Sequence, residues 1–83
     1  MNQIDFINEF IKERKEIEFF KGDYPLIKKS PHDPGRRIKF ITLTNDENIL
    51  VKFCFPQETK NLNELTQPEI ATIYQRLKLC STN

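Results

Sequence analysis

Eighty-three residues, 37% of them hydrophobic and 30% charged, make a single domain with room for one small core. The formal net charge is only +1, so charge taken over the whole chain points to no partner. No apolar run approaches the roughly 18 residues needed to span a bilayer, which excludes a membrane-spanning helix and fits a soluble, cytoplasmic protein. Seven Phe and no Trp imply a core built mainly from Phe, Ile and Leu. Charge distribution says more than the total: residues 1–27 sum to −2, residues 28–39 to +4 and residues 40–83 to −1.

Taken in order, residues 3–21 read as an amphipathic helix. Asn2 is the expected N-cap, and Asp5 favours the first-turn N–H groups. Ile4, Phe6, Ile7, Phe10, Ile11 and Ile17 gather on one side at 100° per residue. Lys12 and Glu16 form an i,i+4 pair on the other side. Gly22 is the expected left-handed C-terminal cap. Arg14 and Glu18 fit this pattern poorly, because both project into or beside the apolar stripe. Tyr24 to Lys29 is the expected first strand, anchored by Leu26 and confined by Pro25 to a strand start or an edge. Ser30-Pro31-His32-Asp33-Pro34-Gly35 is a turn-rich linker.

Residues 36–55 carry the signature of a β-hairpin, two β-branched and aromatic runs around Asn45-Asp46-Glu47-Asn48. A turn centred on Asp46 and Glu47 pairs Leu43 with Leu50, Thr42 with Val51, Ile41 with Lys52 and Phe40 with Phe53. Strand side chains alternate faces. One face then holds Ile38, Phe40, Thr42, Ile49, Val51, Phe53 and Phe55, the expected core. The other holds Arg37, Lys39, Ile41, Leu43, Leu50, Lys52 and Cys54. A one-residue slip would bury three basic residues, which argues for this register.

Beyond Pro56 the polar stretch Gln57–Leu65 is expected to be tacked down by Leu62 and Leu65. Thr66-Gln67-Pro68-Glu69 carries the start signals of a second helix, with Thr66 as N-cap and Glu69 at the capping-box position. That helix runs to about Leu79, with Ile70, Ile73, Tyr74, Leu77 and Cys80 on its apolar side. The expected fold is therefore α+β, a single domain of order αβββα with a three-stranded antiparallel sheet and two helices on one face.

Chemistry-bearing motifs are sparse. Cys54 and Cys80 have no metal-type spacing and are expected to be reduced. His32, the one histidine, lies in a polar loop, and an acid–base pair with Asp33 lacks a nameable third group. With two Gly there is no phosphate-cradling loop, so the sequence points to a non-enzyme without cofactor or metal.

The αβββα order is similar to that of double-stranded-RNA-binding domains, and Tyr24 through Pro31-His32 resembles the Pro-His stretch of their first strand and loop. That resemblance implies RNA binding. The lysine cluster those domains place at the start of their second helix has no counterpart in Thr66-Gln67-Pro68-Glu69. The order also resembles HicA-type mRNA interferase toxins, whose active histidine precedes the sheet, where this chain has Gly22-Asp23-Tyr24.

What remains is a binding surface. Lys28, Lys29, Arg36 and Arg37 bracket the loop, and Lys39, Lys52, Ile41, Leu43 and Leu50 fill the second hairpin face. Apolar anchors rimmed by charge suit a macromolecular interface. The expected function is an inhibitor or adaptor that binds a protein or nucleoprotein partner through that face. Nucleic acid bound by the basic 28–39 segment is the alternative, and a homodimer could also cover the face.

Overall fold

The first helix stops one turn short of its apolar pattern, and Lys15 is where it stops. The computed structural model describes residues 2–55 and 57–81. Helix α1 spans Gln3–Arg14 and opens as expected, with the Asn2 side chain accepting from the Asp5 N–H at 2.8 Å. Lys15 then takes a left-handed conformation (φ 69°), and its N–H closes on the Ile11 carbonyl. The chain turns directly into strand β1, Glu16–Glu18, whose Ile17 faces inward between two exposed glutamates. The two residues that fitted the helix badly mark this change of period. Arg14 is the last helical residue, its guanidinium 3.7 Å over the Phe10 ring, and Glu18 belongs to a strand. Lys12 and Glu16 are therefore not helix neighbours. Gly22 lies in a short 3-10 turn, Lys21–Asp23, and caps nothing in α1.

Among the described residues the sheet has five strands, not three, all pairs antiparallel. Strand β1 pairs with the later half of β3 (Arg36–Leu43), and β2 (Leu26–Ile27) with its start, so the two form one interrupted edge. Strand β4 (Ile49–Phe55) lies between β3 and β5 (Gln57–Asn61). Both added strands are short. Three residues in β1 and five polar ones in β5 give too little alternation to announce a strand by sequence. Placement of the Phe55 and Cys80 side chains lies outside the described residues.

The hairpin register differs from expectation by one residue. Leu43 pairs with Ile49, Thr42 with Leu50, Ile41 with Val51 and Phe40 with Lys52. The cause is a three-residue loop. Glu47 N–H donates to the Thr44 carbonyl at 3.0 Å, Thr44 N–H donates to the Asn48 carbonyl at 2.8 Å, and Glu47 is left-handed at φ 63°. This is a type I turn followed by a left-handed bulge residue. Loops of two or four residues share one register, and an odd loop shifts it by one.

In a regular ladder that shift would set Lys39 against Phe53 in the core. A bulge prevents it. Ile38 pairs with Phe53 out of step with its neighbours, and Lys39 is the extra residue, exposed. Ile38 and Ile41 consequently share the inner face with Ile49, Val51 and Phe53, all buried. Phe40 and Thr42, expected in the core, are on the other face.

Helix α2 (Gln67–Ser81) contributes Ile70, Ile73 and Leu77 to the core, and α1 contributes Ile7, Phe10 and Ile11. The helices touch each other, with the Phe6 and Tyr74 rings edge to face at 5.1 Å. Leu62 and Leu65 are buried in the same cluster, as expected of the tacking residues. Burying such side chains stabilises by roughly 1.5–3 kcal/mol each, which is the main force holding helices to sheet. The protein is thus a small α+β domain of two helices and an antiparallel sheet.

Candidate functional site

The outer face of the sheet is set by the register. Residues directly opposite in antiparallel strands share a face. One row across it is Glu18, Phe40, Lys52 and Thr59; the next is Glu16, Thr42, Leu50 and Asn61. Phe40 and Leu50 are half-buried, and neither belongs to the core cluster or to the apolar residues packed against it. Lys52 Nζ stands 5.5 Å from the centre of the Phe40 ring. The surface therefore combines an aromatic ring, an aliphatic chain and a cation, with two exposed carboxylates on the β1 edge.

Its membership departs from the sequence reading. Ile41, expected on this face, is 1% exposed and buried in the core. Leu43 packs half-buried against that core. Leu50, Lys52 and Cys54 keep an outward, half-buried place, and Phe40 joins them. The reason is the odd loop for Ile41 and Leu43, and the bulge for the change of phase at Lys39.

The basic segment divides in two. Lys28, Lys29, Arg37 and Lys39 are exposed. Arg37 is steadied by donating from Nη1 to the Tyr24 carbonyl at 2.8 Å. Asp33 Oδ2 accepts from the Lys29 N–H at 2.8 Å, and that bond, followed by one from Gly35, holds the Asp33 carboxyl below its ordinary value. Gly35 is required at φ 83°, where an added Cβ would lie 2.9 Å from the Ile27 carbonyl oxygen.

Arg36 is not a free surface cation. Its guanidinium donates to Glu69 at 2.8 Å and to Glu58 at 2.9 Å, and stacks 4.2 Å over the Phe53 ring. Burial would lower the Arg36 pKa, but Glu69 and then Glu58 outweigh it and raise the value. Glu69 is only 1% exposed. Burial pushes its carboxyl up, while the Thr66 N–H, the Arg36 guanidinium and the Thr66 hydroxyl together leave it below the ordinary range. Half of the expected capping box is thus present, with Glu69 Oε1 accepting from the Thr66 N–H at 3.0 Å. The same carboxylate ties α2 to β3, which no sequence spacing reveals.

Among the described residues the exposed large apolar side chains are Phe20, at 85%, Leu26 and Leu79. Leu26 pairs with Arg37 at the start of β3, so an apolar side chain and a cation adjoin on the β2 edge. Phe20, expected inside the first helix, instead follows β1 and is exposed, while its neighbour Phe19 packs against the core. His32 is exposed. Among the described residues no group of three His, Cys, Asp or Glu could hold a metal ion, and no helix is long and apolar enough to cross a membrane.

Clefts lie elsewhere on the described surface. One, of about 450 Å³, lies between the helix starts and is lined by Asn2, Gln3, Ile4, Gln67 and Tyr74. Another, of about 180 Å³, lies beside the hairpin turn and includes Asn8, Glu47 and Asn48. No protein-family model matches the chain, and no curated protein or solved structure matches it.

Proposed function

We propose that this chain is a small non-catalytic interaction protein, of inhibitor or adaptor type, that docks a larger macromolecular partner. The docking surface in this reading is the outer sheet face with the adjoining basic segment. One observation carries it: Phe40 and Leu50 sit on a sheet face outside the core, beside Lys52. Both helices put their apolar residues into one cluster with Ile41, Ile49, Val51 and Phe53, so we take them to cover the same face and leave the other free. Apolar centres within charged rims are what protein interfaces contain. Lys28, Arg37, Lys39 and the apolar Leu26 extend the surface toward β2. Arg36 and Ile41 drop out of it, since both serve the fold. The reading takes the chain as cytoplasmic.

Exposed Lys28, Lys29, Arg37 and Lys39 favour a second reading, nucleic-acid binding, in which affinity falls linearly in log salt. Affinity capture separates the two. The wild-type chain and a Phe40→Thr/Leu50→Thr variant are immobilised and exposed to native lysate with and without nuclease. The docking reading expects a protein held by the wild type in both lysates and lost by the variant. Capture abolished by nuclease supports the second reading, and capture indifferent to the variant contradicts the first.

A further inference from the structure

The row Glu18–Phe40–Lys52 reads the same from both ends with opposite charge: an anion, a ring, a cation on three adjacent strands. Strands lie about 4.8 Å apart, so Glu18 and Lys52 flank Phe40 at equal distances on one face. Among the described residues, Glu16, Glu18 and Lys52 have no ion-pair partner within the chain. We infer that this face pairs with a second copy of the chain in an isologous, face-to-face dimer. The inference rests on the reading of the outer face as a docking surface, and the second copy covers that face when the larger partner does not.

The geometry follows from the row. A two-fold axis running along β3 above Phe40 brings the two Phe40 rings together. It sets Glu18 against Lys52 of the second copy, and Lys52 against its Glu18, so one complementary pair is made twice. In the next row Thr42 meets its own equivalent, and Leu50 lies over the aliphatic stem of Glu16. Strands of the two sheets then run in the same direction, as in aligned sheet packing, where twist keeps them within about 30°. Glu16 and Glu18 would repel each other's equivalents if the copies met with β1 against β1, and this arrangement keeps them apart. Three strands at about 4.8 Å by seven residues at about 3.3 Å give a patch of about 330 Å² on each copy and about 670 Å² for the pair, below the roughly 1,200 Å² of standard stable interfaces, so the dimer is weak. The dimer is therefore reversible and concentration-dependent.

Charge exchange tests the pairing. Sedimentation equilibrium is run on the full chain, on Glu18→Lys, on Lys52→Glu and on the double variant, with circular dichroism confirming each fold. Wild type should dimerise, and each single variant should weaken the dimer by about tenfold or more, because two like-charged contacts replace two attractive ones. The double variant should return to within about threefold of wild type, since the exchange restores both pairs. An equimolar mixture of the two single variants should form heterodimers. Should a charge reversal unfold the chain, Glu18→Gln and Lys52→Gln replace it, each expected to weaken the dimer and to reduce its sensitivity to salt. A wild-type chain monomeric up to about 1 mM, a dimer indifferent to both exchanges, or a double variant no better than the singles overturns the inference. In the monomeric case, capture of a larger partner that still depends on Phe40 and Leu50 leaves the docking reading standing, and capture that does not depend on them removes that reading as well.

Discussion

Ile38 lies directly opposite Phe53, one residue out of step with the pairs on either side of it. That single offset reconciles two demands. The hairpin loop sets a register in which a regular strand would bury Lys39, and desolvating an unpaired ammonium costs several kcal/mol. Setting one extra residue outside the ladder costs less. It lets Ile38 take the inner place and sends Lys39 to water.

Phe53 and Ile38 should therefore be among the least replaceable residues. Phe53→Ala is expected to cost about 3–5 kcal/mol and Ile38→Ala about 2–5. For so small a domain the first approaches total stability. Denaturant midpoints measure both, and a Phe53→Ala chain with an unchanged midpoint would place Phe53 outside the core.

Adjacent arginines should behave oppositely. Arg36→Glu sets a third carboxylate against Glu58 and Glu69 and leaves a buried charge uncompensated, so loss of roughly 3–5 kcal/mol is expected. Arg37→Glu changes an exposed side chain and should stay within about 0.5 kcal/mol. Thermal unfolding of the two variants side by side decides it. Equal effects would mean that the Glu69 contact contributes nothing to the fold.

Acid should weaken the domain through the same cluster. Glu69 has its folded value below its unfolded one, so its contribution is fully present above the ordinary glutamate range. It is lost as pH falls through the lower, folded value. Glu58, lowered chiefly by its bond from Arg36, acts with the same sign. Arg36 stays charged throughout that window. Stability measured by urea denaturation should fall on acidification below the ordinary glutamate range, and Glu69→Gln should flatten the fall. A Glu69→Gln chain with an unaltered pH profile would contradict the assignment.

Two left-handed positions invite opposite substitutions. Glu47 adopts φ 63° with a side chain that disfavours it, so Glu47→Gly should stabilise by up to about 1 kcal/mol. Gly35 already has the residue its conformation requires, and Gly35→Ala should destabilise, since the new Cβ would lie within 3 Å of both Leu26 Cδ1 and the Ile27 carbonyl oxygen. Melting temperatures of the pair check the hairpin loop and the β2–β3 approach. A lower melting temperature for Glu47→Gly would argue against the three-residue turn.

Much of the fold was legible, because the residues concerned obey local rules. Asn2 caps the first helix, Thr66 and Glu69 open the second, and Ile49, Val51 and Phe53 alternate inward. What was misread depends on non-local balance. Glu47 shows no sign in sequence of a left-handed turn, where Gly or Asn would have done so. Ile17 suits a helix stripe and a strand equally, and pairing with Ile41 decides for the strand. The one signal in the sequence is Lys39, a cation at a position the odd register would bury, which is what a bulge expels. For the surface, Leu50 and Lys52 lie outward as expected, whereas Ile41, expected beside them, is buried, because one loop residue reverses a whole strand.

The most direct test sets Leu50→Thr against Ile41→Thr, since both keep strand propensity and remove similar apolar area. The account predicts that Leu50→Thr keeps its melting temperature within a few degrees while losing self-association and partner capture. Ile41→Thr should lose stability on the order of 2 kcal/mol or more, because its hydroxyl is buried in an apolar core. The reverse outcome, an unfolded Leu50→Thr chain beside a stable Ile41→Thr chain, would mean that the inner and outer faces are exchanged and that the proposed docking surface is the core.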